Sequence, residues 1–386
     1  MKSNYKLLGD YIQEVNNRDR NKTVGLLLGV SIQKKFIPSI ANIIGTDMST
    51  YKIVKRNQFA YGPVTSRNGD KISIALLEDY DEAIVSQAYS PFEVKNSNEL
   101  LPEYLMMWFR RPEFDRYARY MSHGSAREIF GWEEMCNTLL PIPAITKQQE
   151  IVKEYNVIQN RIALNQQLIK KLEETAQAIY KQWFVDFEFP DENGKPYKSN
   201  GGEMVFNEEL EKEIPNTWGV GNLDDLIEVK YGKDYKHLEK GSIPLYGSGG
   251  VMSYVNKALY DKPSILIPRK GSLNNIVFLN QPFWSVDTMF YSILKKEFNG
   301  CYVYQYLSGI DFNSLNVGSA VPSMTTNYLN GMRLIIAAEN VLEVFDKLIK
   351  QLFSQIEFNK IQNDTLNDTL KELKSVLLSK LATLEN

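Results

Sequence analysis

Ile151-Val152-Lys153-Glu154-Tyr155-Asn156-Val157-Ile158 opens a stretch in which seam residues return every four and then every three positions. Ile162, Asn165, Ile169, Leu172, Ala176, Ile179 and Trp183 continue it. This is the a/d seam of a heptad pattern held for more than four heptads. A second stretch keeps the same phase 194 residues later, through Phe345, Ile349, Leu352, Ile356, Asn359, Asn363, Leu366, Leu370, Leu373 and Leu377. A helix of about 38 residues spans roughly 57 Å, far longer than an ordinary globular helix. Two such stripes in one chain are expected to bury each other. Asn165 and Asn359 fall at matching seam positions and read as register devices, the other reading being a seam open to solvent there. Thr146 to Gln149, after two prolines, reads as a capping-box start for the first helix.

Working outward, the same offset relates Gly124-Ser125-Ala126 to Gly318-Ser319-Ala320, and Leu140-Pro141-Ile142-Pro143 to Leu334-Ile335-Ile336-Ala337. Further upstream, Leu8-Gly9-Asp10-Tyr11-Ile12 is matched by Leu223-Asp224-Asp225-Leu226-Ile227. A period this long means a duplicated domain and not a solenoid of short units. The expected organisation is a first globular block at 1–145, a helix at 146–189, a connector at 190–215, a second block at 216–337 and a C-terminal helix at 338–386. The connector holds Pro190, Asn193-Gly194, Pro196 and Gly201-Gly202 among seven acids. It reads as a solvated loop that returns the chain, so that the helices run antiparallel and the blocks are related by a pseudo-two-fold axis.

Both blocks read as short strands and turns. Ser264 to Pro268 and Asn275 to Leu279 flank Arg269-Lys270-Gly271-Ser272, and Ile72 to Leu77 follows the turn Thr65 to Asp70. Glu99 to Tyr120 reads as helical. The fold class expected is therefore α+β: two pseudo-symmetric domains with antiparallel sheets, separated by two long helices packed as an antiparallel coiled coil.

Composition narrows the function classes. Of 386 residues, 43% are hydrophobic and 24% charged, ordinary values that exclude collagen-like and largely disordered chains. Two cysteines, Cys136 and Cys301, and two histidines, His123 and His237, leave little for a metal centre. The start lacks a signal-like apolar segment, and the longest apolar run, Val24 to Ile32, is broken by Gly25, Gly29 and Ser31. A cytoplasmic protein without a membrane partner is expected. The net charge of −3 is unevenly spread. The first block is +1 and the second +2, while the connector is −4 and the C-terminal helix −2, leaving the blocks weakly positive.

Motifs for chemistry are missing. The sequence has no Gly-x-x-x-x-Gly-Lys-Ser/Thr phosphate loop, no Asn/Asp-Pro-Pro-Tyr/Phe tetrapeptide for a flipped base and no Gly-x-Ser-x-Gly elbow. Arg67 and the Arg269-Lys270 pair sit on turns between strands, where phosphate or guanine contact competes with a plain solvated charge. The loop Tyr246-Gly247-Ser248-Gly249-Gly250 permits close backbone approach. Lys34 and Lys35 form a weaker basic candidate.

Taken together, Gly124-Ser125-Ala126-Arg127, Trp132, Leu140 to Pro143, Gln148-Gln149-Glu150-Ile151-Val152, Ile162 to Leu168 and Leu172 to Phe187 resemble the DNA-specificity subunit of type I restriction–modification systems. The second block adds Ile243 to Ser248, Phe283-Trp284, Asp287-Thr288 and Gly318 to Ser323. The resemblance implies two target-recognition domains, each reading half of a bipartite site in double-stranded DNA. The helix pair would set the unread spacer and dock two modification subunits, which bind S-adenosylmethionine and methylate adenine; restriction subunits would add translocation and cleavage. No cofactor and no catalytic residue is then expected in this chain. The residues expected to face DNA are Arg67, Arg127, Arg269, Lys270, Ser248 and Ser323, with Lys34 and Lys35 weaker. The second Leu-Pro-Ile-Pro element is degraded, and the second helix lacks the Trp183-to-Phe187 tail, which predicts unequal docking surfaces. The rival readings are a self-sufficient DNA methyltransferase or nuclease, and a coiled-coil scaffold that does not bind DNA.

Overall fold

The computed structural model describes residues 5–21, 23–39, 47–66, 68–69, 71–124, 127–314 and 324–383, with side chains through Glu372. The chain divides into two compact units, residues 1–163 with 363–386, and residues 164–362.

The first unit opens with β1 (Tyr5–Leu7), β2 (Ile12–Glu14), β3 (Leu28–Val30), β4 (Phe36–Pro38), β5 (Lys52–Lys55), β6 (Phe59–Tyr61), β7 (Ile74–Leu76), β8 (Glu82–Val85) and β9 (Ser90–Val94). Then come α1 (Pro102–Phe109), α2 (Pro112–Tyr120), α3 (Trp132–Cys136), β10 (Leu139–Pro141) and the long α4 (Ile145–Tyr180). The central sheet has the order β2-β9-β6-β7, all antiparallel. Proline starts both α1 and α2, where its missing N–H costs nothing and its fixed φ suits the first turn. α1 is buried along nearly its whole length, and Phe109 lies edge-on to Phe59 and Phe92 in the sheet. The core continues into the helices through Ile151, Tyr155 and Ile162 of α4 and Leu370 near the C-terminus.

The second unit contains β11 (Met204–Asn207), β12 (Lys212–Pro215), β13 (Gly219–Asn222), α5 (Leu223–Leu226), β14 (Ile227–Tyr231), β15 (Lys240–Gly247), β16 (Gly250–Val255), β17 (Ser264–Pro268), β18 (Val277–Leu279), β19 (Trp284–Ser285) and β20 (Met289–Leu294). It closes with α6 (Asn299–Ser308), α7 (Thr326–Asn330), β21 (Arg333–Ile336) and α8 (Glu339–Thr383), whose last part belongs to the first unit. Its sheet order, β14-β20-β17-β18, repeats that of the first unit strand for strand. β13 pairs with β21 just as β1 pairs with β10. The degraded Leu334-to-Ala337 element thus keeps its strand, because backbone pairing and burial of Leu334 and Ile335 do not require the prolines.

The helices bear out the heptad reading. Every seam position from Ile151 to Trp183 and from Phe345 to Leu370 is buried or half-buried; Leu373 and Leu377 lie beyond the described side chains. In the second unit the two helices run antiparallel: Asn165 meets Gln362, while Trp183 and Tyr180 pack on Phe345 with ring centroids 5.6 and 6.4 Å apart. α4 ends in a π-helical turn, Lys181–Val185, which turns Trp183 and Phe184 into the second core. The Trp183-to-Phe187 tail therefore supplies core packing through Trp183, Phe184 and Phe187, with Val185 and Asp186 exposed. Gln148, next to the expected cap residue Gln149, is the buried one. Its amide donates to the carbonyls of Glu99 and Pro143 and accepts the Leu101 N–H, all at 2.8 Å, locking the start of α4 to α1.

The connector differs from the solvated loop expected of it. Phe189 stacks between Tyr197 and Trp218, with ring centroids 4.6 and 4.7 Å away, and β11 and β12 form a hairpin that carries much of the acidity. The acids face water on this hairpin while the aromatic residues, sparse in the sequence window, hold it down; composition alone weighted the former.

Candidate nucleic-acid interface

In the first unit, two loops at one end of the sheet are laced together. The Phe130 N–H donates to the Pro63 carbonyl at 2.8 Å and the Thr65 N–H to the Glu128 carbonyl at 3.0 Å. The buried Thr65 hydroxyl also donates to Ser122 Oγ at 2.9 Å. His123 and Ile129 exchange both backbone bonds, closing the loop that presents Arg127 in an exposed position. Gly124 at the start of this loop has φ +135°, and a Cβ there would stand 2.1 Å from the Arg127 carbonyl oxygen, so only glycine fits. Arg67 lies outside the described residues, as does Ser323.

The second unit brings several loops to one place. Asn275 Nδ2 donates to the Ser248 carbonyl at 2.9 Å, coupling the β15–β16 tip to the β17–β18 loop. Asn274 is held in turn by Asp311 at 2.7 Å, an accepted hydrogen bond that keeps the Asp311 carboxyl below its usual range. Gly271, at φ +83°, leaves only enough room for Ser248: a Cβ on it would lie 2.8 Å from the Ser248 hydroxyl. The Arg269 N–H donates to the Thr288 carbonyl at 2.8 Å and the Met324 N–H donates to the Arg269 carbonyl at the same distance. The Arg269 guanidinium stands 5.4 Å from the centre of the half-exposed Tyr231 ring and donates weakly to the Asp287 carbonyl at 3.4 Å. Lys270 is exposed beside it and Ser248 is half-buried. Ser248 and the Arg269-Lys270 pair, chosen separately from the sequence, thus share one loop cluster. Tyr231 and Asn275 were missed as site residues: Asn275 sits in the loop after Arg269 and bonds Ser248, while Tyr231 carries no local motif and reaches Arg269 through the sheet order β14-β20-β17.

The Lys34-Lys35 pair splits. Lys35 is exposed. Lys34, expected as a surface charge, is 5% exposed, with Nζ 2.7 Å from Asp115 Oδ1 and bonded to the Phe109 carbonyl. It sits at φ +62° in the Ser31-to-Lys35 turn, which aims its side chain inward. Burial pulls its ammonium below the usual lysine value, and Asp115 opposes that. It has an internal partner in place of a free surface. On the seam, Asn165 Nδ2 donates to Gln362 Oε1 at 2.7 Å across the helices, whereas Asn359 donates back to the Gln355 carbonyl of its own helix at 2.7 Å.

Among the described residues no group of His, Cys, Asp and Glu side chains is arranged to hold a metal ion, and no helix is long and apolar enough to cross a membrane. Both cysteines are free thiols, and burial pushes both upward.

Comparison with known proteins follows this architecture. The family model described as type I restriction modification DNA specificity domain matches residues 32–174 and again residues 215–375. The chain belongs to this family. The two matches start in each globular block and run into the long helix that follows, so the family unit is the internal repeat itself. The MjaIX specificity subunit of Methanocaldococcus jannaschii is 26% identical over 311 residues, covering 73% of this chain and 68% of that protein. The HindI specificity subunit of Haemophilus influenzae is 27% identical over 188 residues, 47% of this chain and 40% of that protein. The crystal structure of a type I restriction–modification S subunit from M. genitalium superposes with a TM-score of 0.60 over 97% of this chain and 95% of that one, at 14% identity, a likeness of fold.

Proposed function

We propose that this chain is the DNA-reading subunit of a type I restriction–modification enzyme, and that each unit reads one half of a split site in double-stranded DNA. The observation that carries the reading is the duplication: one sheet order occurs twice, and in each copy loops bearing Arg127 or Arg269 and Lys270 gather at the sheet. Arginine on a rigid loop is suited to paired contacts with guanine or a phosphate, and lysine to phosphate. The near-neutral charge of the chain fits a reader that shares the phosphate backbone with partner subunits.

The long helices are the ruler in this reading. α4 has 36 residues, which corresponds to about 54 Å of helix, against roughly 34–36 Å for one turn of DNA. They also dock two modification subunits, which supply S-adenosylmethionine-dependent methylation of adenine, with restriction subunits joining that assembly. Apolar side chains left exposed on the helices support this: Leu164 and Phe358, separated by the repeat offset, are 58% and 60% exposed, with Leu168 and Ile361 nearby in sequence. Phe358 and Ile361 also border a cavity of about 640 Å³ that Phe278, Tyr304 and Phe353 line. The reading leaves the chain itself without a catalytic role.

The test is methylome sequencing of cells that carry this chain with its modification partner. A single split, asymmetric motif with methylated adenines is expected; a continuous motif sinks the reading. Phe358→Glu should lower co-purification of the modification subunit without lowering the melting temperature, and unchanged co-purification removes the docking assignment.

A further inference from the structure

We propose that the buried Lys34–Asp115 pair is a positioning device that fixes the base preference of the first unit, a role that rests on the DNA-reading function above. One carboxylate joins three separate parts of that unit. Asp115, in the first turn of α2, takes the Lys34 ammonium at 2.7 Å and accepts the Ile72 N–H at 3.1 Å through the same Oδ1. Lys34 also donates to the carbonyl of Phe109 at the end of α1, and its ammonium lies 5.7 Å from the centre of the Phe114 ring. The β3–β4 turn, the α1–α2 corner and the chain entering β7 therefore meet at one buried node.

The node lies between two of the exposed cations of the unit, Lys35 and Arg127. On one side, the Lys34 backbone N–H donates to Ser31 and the Ser31 N–H donates to Lys35, so an inward Lys34 forces Lys35 outward. On the other, Ile72 follows the turn whose Thr65 is bonded to Glu128, the neighbour of Arg127. A hydrophobic pair could fill the same space, but it would not direct the hairpin tip to one point; a short buried ion pair with additional hydrogen bonds does. Neither residue touches DNA in this scheme. They act through Lys35 and Arg127.

The experiment uses the full chain assembled with its modification partner and duplexes that carry single base changes in either half of its site. The half belonging to the first unit is the one whose discrimination Arg269→Ala leaves unchanged. Asp115→Asn keeps an acceptor for Ile72 while removing the charge that holds Lys34. It should relax base discrimination in the first half by about tenfold, the scale of one good side-chain–base contact, and leave the second half within about twofold. The double variant Lys34→Met with Asp115→Leu replaces the pair by apolar groups; it should fold and show the same one-sided relaxation, which a purely stabilising role would not produce. Folded variants that discriminate in both halves as the unsubstituted chain does overturn the proposal. If the unsubstituted complex has no split site, the functional reading fails first and this inference with it.

Discussion

The two units have the same sheet order and differ in how they hold their loops. In the first, charged side chains do it: Lys34 with Asp115 in the interior and Arg119 with Glu128 at 2.7 Å beside the Arg127 loop. In the second, the loops are held mainly through side-chain amides and an aromatic ring: Asn274 on the Asp311 carboxylate, Asn275 on the Ser248 carbonyl and Tyr231 beside Arg269. The scaffold is set by pleat alternation and burial, which tolerate many sequences. Loop geometry is set by particular polar partners. A duplicated domain can thus keep one fold while its loops diverge, because the interactions that define each are different ones.

The comparison breaks most visibly at high pH. Tyr61 and Tyr104 in the first unit, and Tyr180 and Tyr302 in the second, all have phenols that burial pushes above their ordinary value near 10. A group with a raised folded pKa contributes stability that is complete below the unfolded value and lost as pH climbs past it. Each should cost about 1 kcal/mol per pH unit above pH 10. Denaturant unfolding followed at pH 9, 10 and 11 should therefore fall most steeply after the second point, with a smaller loss before it from the raised Cys136 and Cys301 thiols. Equal stability at pH 9 and 11 would mean these phenols ionise freely in the folded chain.

At a single site, the largest asymmetry is expected between Phe345 and its repeat mate Ile151. Phe345 is fully buried against Trp183 and Phe184, while Ile151 packs into the first core with a smaller side chain. Phe345→Ala should cost about 3–5 kcal/mol and Ile151→Ala about 2–4 kcal/mol, judged from urea midpoints at constant slope. The reverse order would mean that the π-turn aromatic cluster collapses into the space left behind.

Next in size is binding. Arg269→Ala should weaken the assembled complex by about 1–3 kcal/mol and relax one half-site; Arg127→Ala should do the same to the other half. Titration with duplexes altered in one half at a time measures both. Loss in both halves from a single substitution would mean that these arginines serve general phosphate attraction.

Most of the fold was legible before any coordinates. The heptad phase fixed the helix pair, since a seam residue must be covered wherever it occurs, and the 194-residue offset exposed the duplication. The loop cluster was legible only in part. Ser248, Arg269 and Lys270 stand out on turn and charge signals, but Tyr231 reaches Arg269 through strand order, a non-local property. Lys34 was misjudged for a related reason. A lysine is normally a surface group, and its carboxylate partner lies 81 positions away, in a helix that the local pattern does not link to the turn. The connector showed the opposite failure, where an abundance of acids hid Tyr197, which stacks on Phe189 just before the connector, itself stacked on Trp218 just after it.

The smallest effect tests the seam itself. Asn165 spends its amide across the helix pair on Gln362, whereas Asn359 spends its own within one helix. Both are buried, so leucine at either place adds apolar contact. At 359 the substitution gives up only a bond to a carbonyl that its own helix satisfies, and should stabilise the chain by about 1 kcal/mol. At 165 it also strands the half-buried Gln362 side chain from this partner, so the gain should be smaller or vanish. Urea midpoints for Asn165→Leu and Asn359→Leu, measured side by side, decide it. If Asn359→Leu proves the less stable of the two, the register-setting polar contact lies at 359, and the seam is held in a different place from the one the Asn165–Gln362 bond marks.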